Sequence, residues 1–317
     1  MEEDLYPAEL RSLLKRGYGQ MHRRLAAGAP TLAGHAEAWM GSLSGRAGGT
    51  GGAAPATYFT HPKAFPMLLL PWWLEEVIGR SHDRAFQGDV VYSTLNGYYF
   101  VRMIDDLMDR EPHPGSEVLP ALIFFHTEFQ RAYQRWFPAD HPFWDSFTAA
   151  SLSAAETAAK DAGLTEIDRV QFLATSARKI AGARIPIAAV CHRYERPDLL
   201  GPWFALVDLL GRWHQMLNDI QGWNRDLDQG RQTYFLSEWT RRNGRQVSIS
   251  EWVVADGLAW GFGELDAWMG ELVDAARQLD CPPLTAYLEG RRDDIVTLRE
   301  RLMPRLAALR DLAALLR

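Results

Sequence analysis

Apolar residues recur every three or four positions along most of the chain, the spacing that places them on one face of a helix. Apolar–polar alternation with the turn signals of a hairpin, which would indicate half-buried strands, does not occur. The sequence therefore predicts an all-α fold. It predicts one long helix from about Arg84 to Arg110, helices over roughly 117–137 and 142–160, and closing helices over about 248–278 and 284–314.

Two further predicted helices have special features. The helix over 165–193 contains Gly182 and Pro186, and a glycine and a proline in mid-helix favour a kink. A later helix begins near Pro202 and carries apolar residues at helical spacing into the polar segment 218–226. We therefore expect a broken helix followed by a long unbroken one.

The stretch 45–56 is rich in glycine and small residues, which predicts a flexible loop. Residues 1–44 are expected to form two or three short helices, and they contain no motif that we can assign. The loop suggests a division of the chain into an N-terminal helical segment with its Gly-rich loop, 1–56, and a main α-helical domain, 57–317.

Composition narrows the choice of function. The 317 residues are 47% hydrophobic and include 12 Trp, 14 Phe and 10 Tyr, enough for a large core and an aromatic-lined cavity. A net charge of −6 argues against nucleic acid as a partner. The two cysteines, Cys191 and Cys281, indicate a reducing cytoplasm rather than a disulfide framework. The acidic residues 1–4 lack the features of a signal peptide, and the sequence contains no apolar run long enough to predict a transmembrane segment.

An apolar, aromatic run over 98–103 leads into three acids, Asp105, Asp106 and Asp109. On a helix, Asp105 and Asp109 share one face about 6 Å apart along the axis. Two carboxylates at that spacing repel each other unless a cation lies between them, and hard oxygen ligands without His or Cys favour Mg²⁺. The alternative is an exposed acidic helix end, which would oppose the helix dipole.

A second polar segment places Asn218, Gly222 and Asp226 at i, i+4 and i+8, again on one helix face. Together the two segments resemble the class I isoprenoid synthases, whose metal motifs are D-D-x-x-D and a later N-D-x-x-S-x-x-x-E. Asn218, Asp219 and Asp226 match the later motif, with Asp in place of Glu at its end. Gly222 departs from it, because Ser or Thr is usual there, and Arg225 matches the basic residue that often precedes the final acid.

The resemblance implies a cofactor, Mg²⁺, as three ions held between the two motifs. The implied metal ligands are Asp105, Asp109, Asn218, Asp226 and, through a water molecule, Gly222. Asp106 is expected either to bind metal as well or to support the ligands from behind.

The resemblance also implies contacts to a diphosphate. The family places a sensor arginine four residues before an effector glycine in a broken helix, and Arg178 and Gly182 have this spacing, although Ala181 replaces the usual polar linker. The segment after the second motif resembles the G-R-x-Y-L-P of squalene and phytoene synthases through Arg231 and Tyr234. The implied diphosphate-binding residues are Arg178, Arg225, Arg231 and Tyr234. The alternative for Arg178 is a surface arginine beside a kink.

The implied fold is a helical bundle around a central apolar cavity. Tyr99, Phe100 and Trp213 lie one to two turns before a metal motif, where an aromatic face can stabilise a carbocation; ordinary core packing is the alternative for each. The segment from Tyr287 onwards resembles a Y-x-x-G-x-x-x-W-I motif of bacterial terpene cyclases, and Arg291 within it is expected on a solvated helix face.

The resulting hypothesis is a Mg²⁺-dependent terpene cyclase that ionises farnesyl or geranylgeranyl diphosphate and cyclises the carbocation. The alternative is a prenyl-coupling enzyme of the squalene/phytoene synthase kind, whose second motif would need a carboxylate at Gly222. Chain elongation is disfavoured because the sequence has no second D-D-x-x-D. A third alternative is an inactive relative that binds a prenyl ligand or a partner protein. A homodimer is common in this family.

Overall fold

The computed structural model describes residues 5–46, 56–79, 81–108, 115–161, 164–244 and 246–315. Within these ranges the regular structure is helical and contains no strand, so the predicted all-α fold is confirmed. The helices are α1 (Ala8–Gly28), α2 (Pro30–Arg46), α3 (Ala56–Thr60), α4 (Leu69–Val77), α5 (Arg84–Met108), α6 (Ala121–Arg131), α7 (Phe143–Asp161), α8 (Arg169–Lys179), α9 (Arg184–Arg193), α10 (Leu200–Asp228), α11 (Tyr234–Asn243), α12 (Ile249–Trp252), α13 (Leu258–Gln278) and α14 (Pro282–Leu315).

The long predicted helices are confirmed, with local changes at their ends. Helix α5 runs as expected to Met108, where the described part of the chain is interrupted. The helix predicted over 117–137 is α6 with a 3₁₀ turn on either side, and the one predicted over 248–278 is α12 and α13 joined by a π-helical turn at Val253–Gly257. None of the described helices is long and apolar enough to cross a bilayer.

The predicted break in the helix over 165–193 is also confirmed. Helix α8 ends at Lys179, a 3₁₀ turn covers Ala181–Ala183, and α9 begins at Arg184. The start of α8 is fixed by a capping box in which the Asp168 carboxylate accepts the Gln171 backbone N–H at 2.7 Å and the Gln171 side chain accepts the Asp168 N–H at 2.9 Å.

The chain divides into two compact units, Met1–Ala149 with Ile185–Leu200, and Ala150–Arg184 with Gly201–Arg317. In the first unit, α1 and α6 pack against the buried helix α5. The hydroxyls of Tyr18 on α1 and Tyr99 on α5 are hydrogen-bonded to each other inside this core. The N-terminal helices are thus part of the packing around α5; the domain boundary at residue 56 stays a prediction, and residues 47–55 of the loop lie outside the described residues.

In the second unit, the long helix α10 lies close against the broken helix. A Cβ built on Gly211 of α10 would lie 2.5 Å from the Ile180 side chain, so a larger residue here would force Ile180 to move. Ile180 directly follows α8, and the contact fixes the break relative to α10. Helix α13 packs along α14 in the same unit.

Candidate metal and diphosphate site

The first acidic motif ends helix α5 with two carboxylates that point in different directions. The Asp105 side chain is 54% exposed, whereas that of Asp106 is 1% exposed. Arg102, one turn earlier, lies between them, with Nη1 at 3.4 Å from Asp105 Oδ2 and Nη2 at 2.8 Å from Asp106 Oδ1. The guanidinium reduces the repulsion that two adjacent carboxylates would otherwise feel.

Asp106 is held inside the first unit. Trp39 on α2 donates its indole N–H to Asp106 Oδ2 at 3.0 Å, and both residues are buried. The carboxylate therefore joins α2 to α5 and does not point outward with Asp105. Asp109, the third acid of the motif, lies outside the described residues.

The second motif has the same division between outward and inward residues. Asn218 is exposed, Gly222 is half-buried, and Asp226 is 7% exposed. The exposed Arg225 places Nη2 at 3.7 Å from Asp226 Oδ1. A Cβ on Gly222 would lie 3.1 Å from Arg225 Nη2 and 3.2 Å from Asp226 Oδ2, so position 222 directly adjoins both charged groups.

Asp219 faces inward and organises the next helix. Its side chain accepts the Gln215 amide at 2.8 Å and the backbone N–H of Tyr234, the first residue of α11, at 3.2 Å. Burial raises the pKa of Asp219 to about 7, although the amide, Lys179 and the helix N–H favour its charged form. Asp219 thus acts as an anchor between α10 and α11.

Gly230 and Arg231, which follow the second motif, form the C-terminal cap of α10. Gly230 has a φ of +68°, its N–H bonds to the Leu227 carbonyl at 3.0 Å, and the Arg231 N–H bonds to the Asp226 carbonyl at 2.8 Å. These two bonds are the Schellman pattern, in which glycine adopts the left-handed conformation that other residues avoid. The turn holds the half-buried Arg231 beside the backbone of Asp226.

Tyr234 lies in an aromatic cluster of the second unit. Its ring stacks on Phe172 at 4.7 Å between centroids and meets Trp260 edge-on at 5.3 Å. The residue is 3% exposed, and burial raises the pKa of its hydroxyl, which also interacts with Arg169. Most of Tyr234 therefore serves the packing of α11.

Arg178 and Gly182 lie on either side of the helix break. Arg178 is exposed in the last turn of α8. Gly182 is in the 3₁₀ turn, and a Cβ built there would meet no atom within 4 Å. The break thus presents an accessible cation and an open stretch of backbone four residues later.

The three aromatic candidates have different surroundings. Tyr99 is buried in the core of the first unit, while Phe100 is half-buried with its ring 5.0 Å from that of His126. Trp213 is buried in the second unit, and the Arg291 guanidinium lies 5.2 Å from the centre of its ring. The expectation that Arg291 is solvated is wrong, since it is 4% exposed.

Sequence reasoning missed three residues of these surroundings. Arg102 had a signal, because it precedes Asp105 and Asp106 by three and four residues and helical spacing favours such ion pairs. Trp39 had none, because its partner Asp106 lies on another helix, and the burial of Arg291 had none, because Trp213 lies on another helix.

The described donors have the chemistry that Mg²⁺ requires. Asp105, Asn218 and Asp226 supply carboxylate and amide oxygens, and the first two are exposed. In the described ranges no three His, Cys, Asp or Glu side chains form a metal-binding group. Asn218 is not one of these residue types, and Asp109 lies outside the described residues. The donors on each motif helix are of the kind that Mg²⁺ prefers.

The fold is that of the isoprenoid synthases: all-helical, with acidic segments at the end of α5 and in the second half of α10. The structural similarity is to a geranylgeranyl pyrophosphate synthetase from the archaeon Geoglobus acetivorans, with a TM-score of 0.63 at 13% sequence identity over 92% of this chain and 99% of that one. Comparison with protein-family models and with curated proteins finds no match. At this identity the similarity establishes the fold alone.

Proposed function

We propose that the protein is a Mg²⁺-dependent class I terpene cyclase that acts on a linear prenyl diphosphate. The observation that supports this proposal is that each motif has one buried residue beside one exposed residue. Asp106 and Asp219 are buried and hydrogen-bonded to the protein, whereas their neighbours Asp105 and Asn218 are exposed. An isoprenoid synthase fold that keeps oxygen donors accessible on both motif helices retains the means to hold a metal–diphosphate complex.

Mg²⁺, when bound, would act as a Lewis acid that neutralises the charge developing on the diphosphate leaving group. The proposed ligands are Asp105 on α5, Asn218 and Asp226 on α10 and, by the sequence motif, Asp109, which lies outside the described residues. These side chains would bind the ion through carboxylate or amide oxygens, which are the ligands that a hard cation such as Mg²⁺ prefers.

The cationic side chains of the second unit would bind the diphosphate directly. Arg178 and Arg225 are exposed, and Arg231 is fixed at its backbone by the Gly230 turn. Guanidinium groups match phosphate oxygens in geometry as well as charge, so they would orient the scissile carbon–oxygen bond and stabilise the departing anion. Tyr234 would contribute only through its hydroxyl, since its ring is packed.

The apolar chain of the substrate needs a dry, aromatic environment in which a carbocation is not quenched by water. Phe100 is half-buried, one turn before the first motif, and keeps an accessible face for this role. Trp213 is a poorer candidate, because a guanidinium over its ring already occupies the π face and would repel a carbocation.

The alternative is a prenyl-coupling enzyme of the squalene/phytoene synthase kind, but Gly222 stands where such an enzyme has a second carboxylate. Chain elongation, the activity named for the similar geranylgeranyl pyrophosphate synthetase, is disfavoured because the sequence has a single D-D-x-x-D. One D-D-x-x-D motif and one Asn/Asp motif are enough to ionise one diphosphate, which is the requirement of a cyclase.

The test is to incubate the purified protein and Mg²⁺ with geranyl, farnesyl and geranylgeranyl diphosphates, each alone and with isopentenyl diphosphate. Products are extracted and identified by mass spectrometry. We expect a cyclic hydrocarbon or alcohol from a single diphosphate, abolished by EDTA and restored by Mg²⁺. A longer or coupled prenyl chain would instead support the alternative, and a metal-independent product would refute both.

A further inference from the structure

Arg102 on α5 is shared unequally between the two adjacent carboxylates of the first acidic motif. Its Nη2 lies 2.8 Å from Asp106 Oδ1, whereas its Nη1 donates to Asp105 Oδ2 at 3.4 Å. The closer partner is 1% exposed and the more distant one is 54% exposed. The guanidinium is therefore anchored on the buried carboxylate and reaches the exposed one from there.

The anchor is itself fixed by the helices around it. With its other oxygen, Asp106 accepts the indole N–H of Trp39 on α2 at 3.0 Å. Tyr98, one turn before Arg102 on α5, stacks on Tyr58 of α3 with 5.0 Å between ring centroids, and both tyrosines interact electrostatically with Arg102. Three helices of the first unit thus determine where this positive charge lies.

The position of the charge has a consequence for any cation that approaches Asp105. Arginine stays protonated in proteins, so a unit positive charge lies permanently beside this carboxylate. A divalent ion that binds Asp105 is repelled by that charge and shares the carboxylate with the Nη1 donor. The opposing negative charge of Asp106 is directed towards Arg102 and Trp39, inside the protein.

We propose that Arg102 is a positioning residue that sets the metal affinity of the first motif, because its guanidinium competes with a divalent ion for Asp105. The same contact that orients the carboxylate weakens its attraction for the ion. The identity of Asp105 as a metal ligand rests on the proposed function. The competing role of Arg102 rests on the arrangement of Asp106, Arg102 and Asp105.

The test measures Mn²⁺ binding to the full chain by electron paramagnetic resonance, because Mn²⁺ takes the same oxygen ligands as Mg²⁺. Arg102→Gln removes the charge and keeps an amide donor for Asp106. We expect this variant to bind Mn²⁺ about tenfold more tightly than the parent, the scale of repulsion between a unit charge and a divalent ion several ångströms apart in water. Arg102→Lys keeps the charge and should bind much as the parent does.

The matched control is Arg84→Gln, which removes the same charge from the opposite end of α5, ~27 Å away along the helix. The Arg84 side chain is 61% exposed and pairs with Glu9. A charge at that distance is screened at physiological ionic strength, so this variant should keep the parent affinity. If Arg84→Gln tightens binding as much as Arg102→Gln does, the effect belongs to net charge and the inference is overturned.

Equal or weaker Mn²⁺ binding by Arg102→Gln, or no binding by either protein, also overturns the inference. If this variant does not fold, the double variant Arg102→Met/Asp106→Asn takes its place, since removal of both members of an ion pair is commonly tolerated. It should also bind more tightly than the parent, because the positive charge that is lost lies against Asp105 and the negative charge that is lost faces Trp39. An unchanged affinity would again count against the role of Arg102.

Asp105→Asn separates this inference from the proposed function. If the parent binds Mn²⁺ and Asp105→Asn does not, the metal site stands, and an unchanged affinity of Arg102→Gln then overturns the inference alone. If Asp105→Asn binds as the parent does, Asp105 is not a metal ligand and both fail. Neither measurement requires turnover, so a negative cyclase assay leaves the inference unaffected.

Discussion

The indole N–H of Trp39 is hydrogen-bonded to the carboxylate of Asp106 at 3.0 Å, across 67 residues of sequence. Trp39 belongs to the N-terminal helices, which carry no motif, and Asp106 is the central acid of the first acidic motif. The bond holds Asp106 inside the protein and leaves Asp105 as the outward carboxylate. The N-terminal helices therefore help to set the geometry of the candidate site.

Removal of this bond should destabilise the protein. Trp39→Phe leaves a buried, charged acceptor without its indole partner, a loss of about 1.5–3 kcal/mol for a hydrogen bond to a charged group. The control is Trp203→Phe, a 0% exposed tryptophan whose Nε1 has no partner among the described residues. In urea unfolding, Trp39→Phe should cost more than Trp203→Phe by about that amount; equal losses would show that the hydrogen bond contributes nothing.

His82 should make the stability of the first unit pH-dependent. Its Nδ1 lies 2.9 Å from the buried Glu75 and its Nε2 3.2 Å from Glu76. Burial alone would lower the pKa of His82, but the hydrogen bonds to Glu75 and Glu76 outweigh it and raise the pKa. Stability from a raised histidine pKa is fully present below the unfolded-state value, about 6.5, and is lost as pH rises through the folded-state value.

The parent protein should therefore lose free energy of unfolding as pH rises from about 6 to about 8, and His82→Gln should lose less over the same window. His35→Gln, at an exposed histidine, serves as the control. Urea titrations at each pH measure the slopes. A His82→Gln slope as steep as that of the parent would assign the pH dependence to another group.

Gly222→Ser should retain turnover. A Cβ at this position meets only the ends of the Arg225 and Asp226 side chains, both of which can move, and a serine hydroxyl can replace a water on the proposed metal face. Asp226→Ala should instead lower turnover at least ~10²-fold by removing charge from that face. Rates are measured against Mg²⁺ concentration, with Asp228→Ala at the exposed end of α10 as control. An inactive Gly222→Ser with an active Asp226→Ala would place the metal face elsewhere on α10.

Arg178→Lys should reduce turnover about tenfold or more, because an ammonium cannot reproduce the planar fork of a guanidinium on a diphosphate. Arg178 is exposed beside the helix break and therefore accessible to a ligand. The control is Lys179→Arg, whose parent side chain pairs with Asp161 at 2.5 Å. Comparison of kcat and KM for the three proteins measures the effect; rates unchanged in Arg178→Lys would return this residue to the role of a surface arginine.

Much of the architecture was predictable because it depends on local patterns. Apolar periodicity gave α5, α7, α10 and α14, and Gly182 with Pro186 gave the break between α8 and α9. Helical periodicity and helix-breaking residues affect the structure within a few positions of the chain, so they can be recognised in a single sequence. The helix start at Asp168 was missed although its capping box with Gln171 is a local pattern, and the π-helical turn after Trp252 was missed because no local pattern marks it.

The sequence by itself determined that the chain is helical and that two acidic segments lie on helix faces, since spacing along a helix decides which side chains are neighbours. Only the tertiary structure decided which residue of each neighbouring pair, Asp105–Asp106 and Asn218–Asp219, points inward. Asp106 is buried because Trp39 reaches it from α2, and Asp219 because the first N–H of α11 does so from across a turn. The burial of Arg291 against Trp213 was likewise decided by the approach of α14 to α10. Such partners are distant in sequence, and no local pattern of residues specifies them.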